Sequence, residues 1–505
     1  MSADNQDIIL GVVGAGLMGR GIAQIAAQAG ISVILCDSRP GGAGEARDAL
    51  VATLNSLAAK GKITAQAAEA AAGRLQVAGA LEDLRPCTVV VEAIFENLEA
   101  KQQLFRQLEA IVSQDCILAT NTSSLSITSI AAAVAKPERV AGFHFFSPVP
   151  LMKIVEVIPG PLTGERVVET LTALTKRMGH TAVRASDTPG FIINHAGRGY
   201  VTEGLRILGE TVAPHAEIDR VLTQAAGFRL GPFELLDMMG LDVSQPVMES
   251  IYDQYYQEPR FRPSPIARQR LAAGLLGRKS KRGFYEYPNG EKLEPFAQPV
   301  PPRADRPVWL GVNAISLFPQ VAQILSAPGV TVETGSRASA DAICLVLPVG
   351  KDATTAAIEA GCDPERTVGL DPLFLSGRRT LMTTPATSAA VRDAAHALLT
   401  ADGTPVSVIK DSAGFIAQRV VATIVNIASD IAQQGIARPQ DIDTAVKLGL
   451  GYPSGPLTMG DTLGPGRVLA ILDGLFEIYR DPRYRPSPWL RRRAQLGLSL
   501  LKPEI

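Results

Sequence analysis

Cysteine and histidine are both scarce in this chain of 505 residues, with five of each. The cysteines, Cys36, Cys87, Cys116, Cys344 and Cys362, are odd in number, scattered and without CxxC spacing. That pattern argues against a disulfide framework or a metal site and fits a reducing compartment. Surplus charge is missing too: the net charge is −1, so neither nucleic acid nor an anionic membrane surface is favoured as a partner. No apolar run reaches the ~20 residues that span a bilayer. The polar start Met1–Asp7 lacks the basic-then-apolar order of a secretion signal. The Ala-rich stretch near 65–73 carries Glu69 and Arg74 and reads as helix. A cytoplasmic, membrane-free protein is the expectation, and its length predicts about three domains.

What the chain does have is a repeat. Asp187-Thr-Pro-Gly-Phe-Ile-Ile-Asn194 returns as Asp411-Ser-Ala-Gly-Phe-Ile-Ala-Gln418, Ile218-Asp219 as Ile442-Asp443, and Gly231-Pro232 as Gly455-Pro456. All three pairs lie 224 positions apart, and a fixed offset over so long a stretch signals a duplicated helical module. The exits match as well, Arg260-Phe-Arg-Pro-Ser-Pro265 with Arg483-Tyr-Arg-Pro-Ser-Pro488, one residue having been lost in between.

Residues 8–185 alternate apolar, β-branched runs with helical segments, the pattern of a parallel sheet with crossover helices. The expected strands are Ile8–Val13, Val33–Cys36, Val89–Glu92, Ile117–Ala119, Val140–Phe145 and Ile154–Ile158. A polar, Ala-rich excursion over 43–75, turning at Lys60-Gly61-Lys62, predicts an inserted helical hairpin. The expected division is an α/β domain over 1–186, a helical domain over 187–287, a Pro-rich linker over 288–307, a second α/β segment over 308–410, and a second helical domain over 411–505.

The run Ile8–Val13 leads into Gly14-Ala-Gly16-Leu17-Met18-Gly19 and then a helix. In that context Gly14 permits the tight turn, Gly16 lets a pyrophosphate approach the backbone, and Gly19 allows close helix–strand packing. The helix N-terminus offers unpaired N–H groups to the phosphates. Asp37 follows at the end of the next strand, placed to accept from a ribose 2′-hydroxyl and to repel a 2′-phosphate, which favours NAD over NADP. Arg39 pulls slightly the other way.

A nicotinamide cofactor calls for a base to take the substrate hydroxyl's proton. His144 stands where Val140-Ala-Gly-Phe-His-Phe-Phe146 ends and the chain turns at Ser147-Pro148, at the carboxyl end of a strand where ligands of such sheets bind. Glu156 sits in the apolar strand Lys153-Ile-Val-Glu-Val-Ile158 and needs a partner. Pairing with His144 would stabilise the imidazolium. Asn121-Thr-Ser-Ser124 follows another strand end and offers hydroxyls to the same cleft.

With Val91-Glu-Ala-Ile-Phe-Glu-Asn97, Asn121-Thr-Ser-Ser-Leu125, His144-Phe-Phe-Ser-Pro-Val-Pro150 and Asp187–Asn194 in this order, the chain resembles the 3-hydroxyacyl-CoA dehydrogenases over residues 8–287. The resemblance implies a Rossmann-type NAD-binding domain followed by an all-α C-terminal domain of the 6-phosphogluconate-dehydrogenase kind, with a degenerate second copy ending in a second all-α domain. It implies NAD-dependent oxidation of an (S)-3-hydroxyacyl-CoA to the 3-oxoacyl-CoA by hydride transfer, with His144 as base, Glu156 as its orienting partner, and Ser123 and Asn194 on the reacting oxygen. Glu96 and Lys101 are implied as cofactor contacts, alongside Gly14, Gly16, Leu17, Met18, Gly19, Asp37, Asn121 and Ser147. Ser56 and Lys62 are implied as coenzyme A contacts. Two positions depart from the family's pattern: Ser147 stands where asparagine is usual, and His195 where arginine is common.

The second half aligns Arg366-Thr-Val-Gly-Leu-Asp371 with Arg139-Val-Ala-Gly-Phe-His144, leaves no glutamate in Leu381–Pro385 to match Glu156, and has a single glycine in Trp309-Leu-Gly-Val-Asn-Ala314. One active site per chain is expected, with the two helical modules packed as an internal pseudo-dimer and a further homo-oligomer left open. The long form resembles the 3-hydroxyadipyl-CoA dehydrogenases of phenylacetate breakdown, with Arg229 as a candidate for the distal carboxylate; 3-hydroxybutyryl-CoA is the alternative substrate. A β-hydroxyacid dehydrogenase using a catalytic lysine and a non-catalytic, crystallin-like NAD-binding protein are the competing readings.

Overall fold

The computed structural model describes residues 8–311, 314–326 and 329–504. Met1–Asp7 lie outside it, as do Val312 and Asn313 in the stretch aligned with the glycine loop. The chain divides into two compact units. One takes the residues up to His195 together with Gln434–Leu450; the other takes Ala196–Gln433 and the residues from Gly451 onward.

The first unit is built on eight strands: β1 (Ile9–Val13), β2 (Ser32–Cys36), β3 (Leu75–Val77), β4 (Val89–Glu92), β5 (Ile117–Thr120), β6 (Val140–Phe145), β7 (Ile154–Pro159) and β8 (Thr181–Arg184). Their order is β3-β2-β1-β4-β5-β6-β7-β8. The strands are parallel from β3 to β6, β7 turns antiparallel to β6, and β8 runs parallel to β7. Winding reverses between β1 and β4, so a crevice opens beyond their carboxyl ends. Helix α1 (Leu17–Gln28) starts there. Helices α2 (Gly42–Ala59) and α3 (Ala65–Ala72) form the hairpin that the sequence predicts. The central strands are apolar because both faces are covered; every residue of β4 and β5 is buried. The sequence does not announce β3 and β8. They are the two edges of the sheet, three and four residues long, and Gln76, Val77, Thr181 and Arg184 are exposed, so they lack the double-sided apolar pattern.

In the second unit, β9 (Val308–Leu310), β10 (Val332–Glu333), β11 (Ile343–Val346), β12 (Thr367–Leu370), β13 (Arg379–Thr383) and β14 (Val406–Ile409) form a sheet ordered β10-β9-β11-β12-β13-β14. Its antiparallel step falls between β12 and β13, as it falls between β6 and β7 in the first sheet. The order is that of the larger sheet with two strands removed.

The same unit packs the helix Arg198–Gly209 against the helix Ala417–Gln433. The approach is close: a Cβ at Gly199 would lie 2.9 Å from Ile427 Cδ1. Between the two helices sits Arg419, wholly buried. It meets Glu203 at 2.5 Å and Glu210 at 2.6 Å, while Tyr484 donates to Glu203 at 2.6 Å and Arg483 adds a contact at 3.3 Å. Burial pushes the Glu203 carboxyl up, but Arg419 and Arg483 together pull it below its ordinary value. Breaking such a pair from one side strands a buried charge at a cost of about 3–5 kcal/mol, whereas replacing both partners by apolar groups costs far less. We therefore expect Arg419→Met to lower the unfolding temperature of the full chain by several degrees in calorimetry, and Arg419→Met with Glu203→Leu to recover part of that loss. An additive double variant would show that the pair is not coupled.

Candidate active site

At the carboxyl end of β1 the backbone itself selects glycine. Gly14 has φ +96°, and a Cβ there would stand 2.6 Å from the Ala93 carbonyl oxygen; a Cβ at Gly19 would collide with the Gly14 carbonyl at 1.8 Å. At Gly16 a Cβ would meet no atom within 4 Å. The space over Gly16 is thus open, bordered by exposed Leu17, half-buried Met18 and the first turn of α1. Asp37, just past β2, accepts from Ala15 N at 2.7 Å and Arg39 N at 2.9 Å, so its carboxylate is fixed beside the loop. The Arg39 guanidinium is held at 2.7 Å by Glu45 of α2. These features fit a dinucleotide with a free ribose 2′-hydroxyl.

Across the crevice the ends of β4 and β5 carry a buried polar cluster. Glu92, at the end of β4, and Lys101, in α4 (Leu98–Ile111), are 0% and 1% exposed and pair at 2.8 Å. Thr120 also donates to Glu92. From this base Lys101 reaches Glu96 at 3.4 Å. Glu96 accepts from Thr122 Oγ1 at 2.7 Å, Ser123 N at 2.9 Å and Ser123 Oγ at 3.4 Å. Burial raises the Glu96 carboxyl, but the Thr122 bond, the Lys101 charge and the Ser123 amide outweigh it and leave it below the ordinary range. Glu96 is thereby kept ionised and shaped around the turn that presents Ser123.

On β6 and β7 the antiparallel register sets His144 directly opposite Glu156. His144 Nδ1 lies 2.7 Å from Glu156 Oε2, with the two side chains 5% and 0% exposed. The other carboxylate oxygen accepts from Ile192 N at 3.0 Å and Ile193 N at 2.9 Å. Those amides converge because Gly190 and Phe191 both take left-handed backbone, φ +77° and +49°, and bend the chain around the carboxylate. Asn194 follows immediately. One buried carboxylate therefore fixes both the imidazole and the turn that carries Asn194. Asn121, after β5, accepts from Phe145 N at 2.8 Å and ties that strand end to β6.

A glycine loop shaped for a dinucleotide, with a histidine–carboxylate pair at the neighbouring strand ends, is found together with matching sequence families. The model of the 3-hydroxyacyl-CoA dehydrogenase NAD binding domain matches residues 9–188, and that of the C-terminal domain matches 190–287 and again 414–502. The chain belongs to the 3-hydroxyacyl-CoA dehydrogenase family. It is 39% identical over 501 residues to 3-hydroxyadipyl-CoA dehydrogenase of Escherichia coli K12, across 96% of this chain and 97% of the relative. Hydroxyacyl-coenzyme A dehydrogenase from Sus scrofa mitochondria is 38% identical over 286 residues, 55% of this chain and 90% of the relative. A crystal structure of 3-hydroxybutyryl-CoA dehydrogenase from Escherichia coli K12 matches with a TM-score of 0.87 at 37% identity, covering 97% of this chain and 99% of that one. As a 3-hydroxyacyl-CoA dehydrogenase, the protein is an NAD-dependent oxidoreductase, which sets aside the lysine-dependent and non-catalytic readings.

The remaining candidates are dispersed. Ser147 is exposed just past β6, Ser56 is exposed in α2, and Lys62 is exposed in the turn after it. His195 is buried, and Arg229 is exposed. Sequence reasoning missed Glu92, although its signal was the one that exposed Glu156, a carboxylate ending an apolar strand. It also missed the amides of Ile192 and Ile193, which carry no residue-type signal at all.

The second sheet shows what this dehydrogenase has done with the corresponding place. Asp371 follows β12 and donates its amide to Thr380 O at 3.1 Å, so Thr380 of β13 stands opposite it. The match to Glu156 is thus Thr380, one residue before the stretch that the sequence suggested. Gln418 Nε2 donates to Asp371 Oδ1 at 2.9 Å, and Gln418 Oε1 accepts from Gly350 N at 2.9 Å. The counterparts of His144 and Asn194 therefore bond to each other. Asp371 is fully buried, and burial pushes its carboxyl up to about 7. A carboxyl raised in the folded state makes folding less favourable as pH climbs from its unfolded value near 4 through 7. Asp371→Asn removes that cost, on the order of 4 kcal/mol when complete. Its unfolding temperature should exceed that of the unaltered chain at pH 8 by several degrees, and the gap should shrink toward pH 5. A gap independent of pH would refute the assignment.

Proposed function

We propose that the protein oxidises the 3-hydroxyl of an (S)-3-hydroxyacyl-CoA, with His144 as general base, and that its substrate is the dicarboxylic 3-hydroxyadipyl-CoA, as in phenylacetate breakdown. The observation that carries the chemistry is the buried pair of His144 and Glu156 at 2.7 Å. With Nδ1–H directed at the carboxylate, Nε2 is the ring nitrogen for the substrate. The proton leaving the 3-hydroxyl goes to Nε2, and the ionised Glu156 stabilises the imidazolium. Ser123 and Asn194 donate to the substrate oxygen. Glu96 holds Ser123 in place, with Glu92 and Lys101 behind it. The backbone at Gly16 and the Asp37 carboxylate would hold NAD, which when bound would supply the ring that takes the hydride from C3.

The substrate reading draws on the named relative that matches 96% of this chain. We further read the chain as a duplicated, cytoplasmic dehydrogenase divided at 186, 287, 307 and 410, with one active site and with Ser56 and Lys62 on coenzyme A. Its second half would then serve as an internal partner for the first.

Replacing His144 by Gln is expected to lower kcat by about 10³-fold, within the range that general acid–base catalysis supplies, with NADH affinity by fluorescence changed less than about twofold. Substantial residual turnover would remove His144 as base. For the substrate, kcat/KM on 3-hydroxyadipyl-CoA should exceed that on 3-hydroxybutyryl-CoA by about tenfold or more, the range of a charge-assisted contact. If Arg229 meets the distal carboxylate, Arg229→Ala lowers the first value and spares the second. Equal values in the unaltered enzyme would favour the four-carbon substrate.

A further inference from the structure

The helix Pro439–Leu450 belongs by sequence to the second helical segment, yet it lies within the first unit, packed on β7 and β8. β7 is the strand that carries Glu156. Just before that helix, Ile436 O accepts from Ser186 N at 2.8 Å. Ser186 adjoins Asp187, whose carboxylate accepts from Ser126 Oγ, Ile127 N and Thr128 N at the start of α5 (Ile127–Ala131). At the far end of the helix Gly449 meets Ile193. A Cβ at Gly449 would lie 2.5 Å from Ile193 Cδ1, and 3.2 and 3.3 Å from its Cγ1 and Cγ2. Ile193 is 1% exposed, so its side chain has no solvent side to retreat to.

The backbone gives no reason for glycine here. Gly449 is inside a helix and its φ is not left-handed, so any residue suits its conformation and alanine would favour the helix by about 1 kcal/mol. The contact with Ile193 supplies the reason. The repeat supports it independently: 224 positions away, Ile193 corresponds to Ala417 and Gly449 to Ala225. Position 449 thus carries no side chain and faces isoleucine, whereas both corresponding positions are alanine.

We propose that Gly449 is a positioning residue for the reaction, through which the second helical segment seats Ile193 and so aligns Asn194 and Glu156. Ile193 N donates to Glu156, and Asn194 is the next residue, so displacing Ile193 disturbs both the orientation of His144 and the contact to the substrate oxygen. The proposal rests on His144 as base.

A double-mutant cycle in the full-length protein tests it. Gly449→Ala in the unaltered background is expected to lower kcat about tenfold or more, since small misplacements of aligned groups are costly, with the Kd for NADH unchanged. In the Ile193→Val background, which lacks the closest atom, the same substitution should cost less than threefold. The acidic limb of the kcat/KM–pH profile should move with Gly449→Ala and return in the double variant. A Gly449→Ala enzyme with unaltered kcat and pH profile overturns the proposal, as does a loss of equal size in both backgrounds. If Gly449→Ala only lowers the unfolding temperature while the folded enzyme turns over normally, the role is structural and the proposal fails. A His144→Gln enzyme that stays active would instead sink the reading beneath it.

Discussion

A carboxylate with no access to water must find charge or hydrogen-bond donors, or it drives its own neutralisation. Glu156 meets that demand with three donors drawn from two places: the His144 ring on the adjacent strand and two backbone amides on the turn after β8. The arrangement makes the active site a consequence of electrostatic satisfaction. Removing any donor leaves the carboxylate short, and the cross-strand register admits no slippage, because a shift by one residue would point Glu156 to the other face of the sheet. The second carboxylate of this kind, Glu92, does the same for the other wall, clasped by Lys101 and Thr120. Two buried acids, each ending or crossing an apolar strand, thus hold the groups that flank the crevice.

Much of this was legible because the chemistry breaks a local rule. Glycines at 14, 16 and 19 make sense only where backbone must pack or be approached, and a glutamate inside Ile-Val-Glu-Val-Ile is conspicuous. What stayed hidden has a common cause: it depends on residues far apart in the chain or on groups without a side-chain signature. The amides of Ile192 and Ile193 look like any others in sequence. The edge strands β3 and β8 are too short and too exposed to show a period. Thr380 was passed over by one position because Arg379-Thr-Leu-Met-Thr383 carries no acidic residue to mark the place opposite Asp371. The partner of Ile193 stands more than 250 residues further on, and no local pattern reaches that far.

The second sheet fills the corresponding place with a different set of side chains. Asp371, Thr380 and Gln418 stand at the positions that correspond to His144, Glu156 and Asn194, and the Gln418 amide bonds to Asp371 and to Gly350 N. Glu203 and Arg419 retain charge for another end. They are fully buried, come from different helical segments and bond each other, so the loss of either leaves the other's charge buried and unpaired.

Arg419 occupies, 224 positions on, the place that His195 holds in the first segment, while Glu203 and Glu210 correspond to Ile427 and Gln434. In a two-fold assembly of identical chains every substitution is made twice, so a cation and its acid are always both present on each side. Covalent linkage releases the two halves from that obligation. Each can discard what the other supplies, and the resulting interface is lock on one side and key on the other. It is also insensitive to dilution, because the halves never part to a distance beyond the tether.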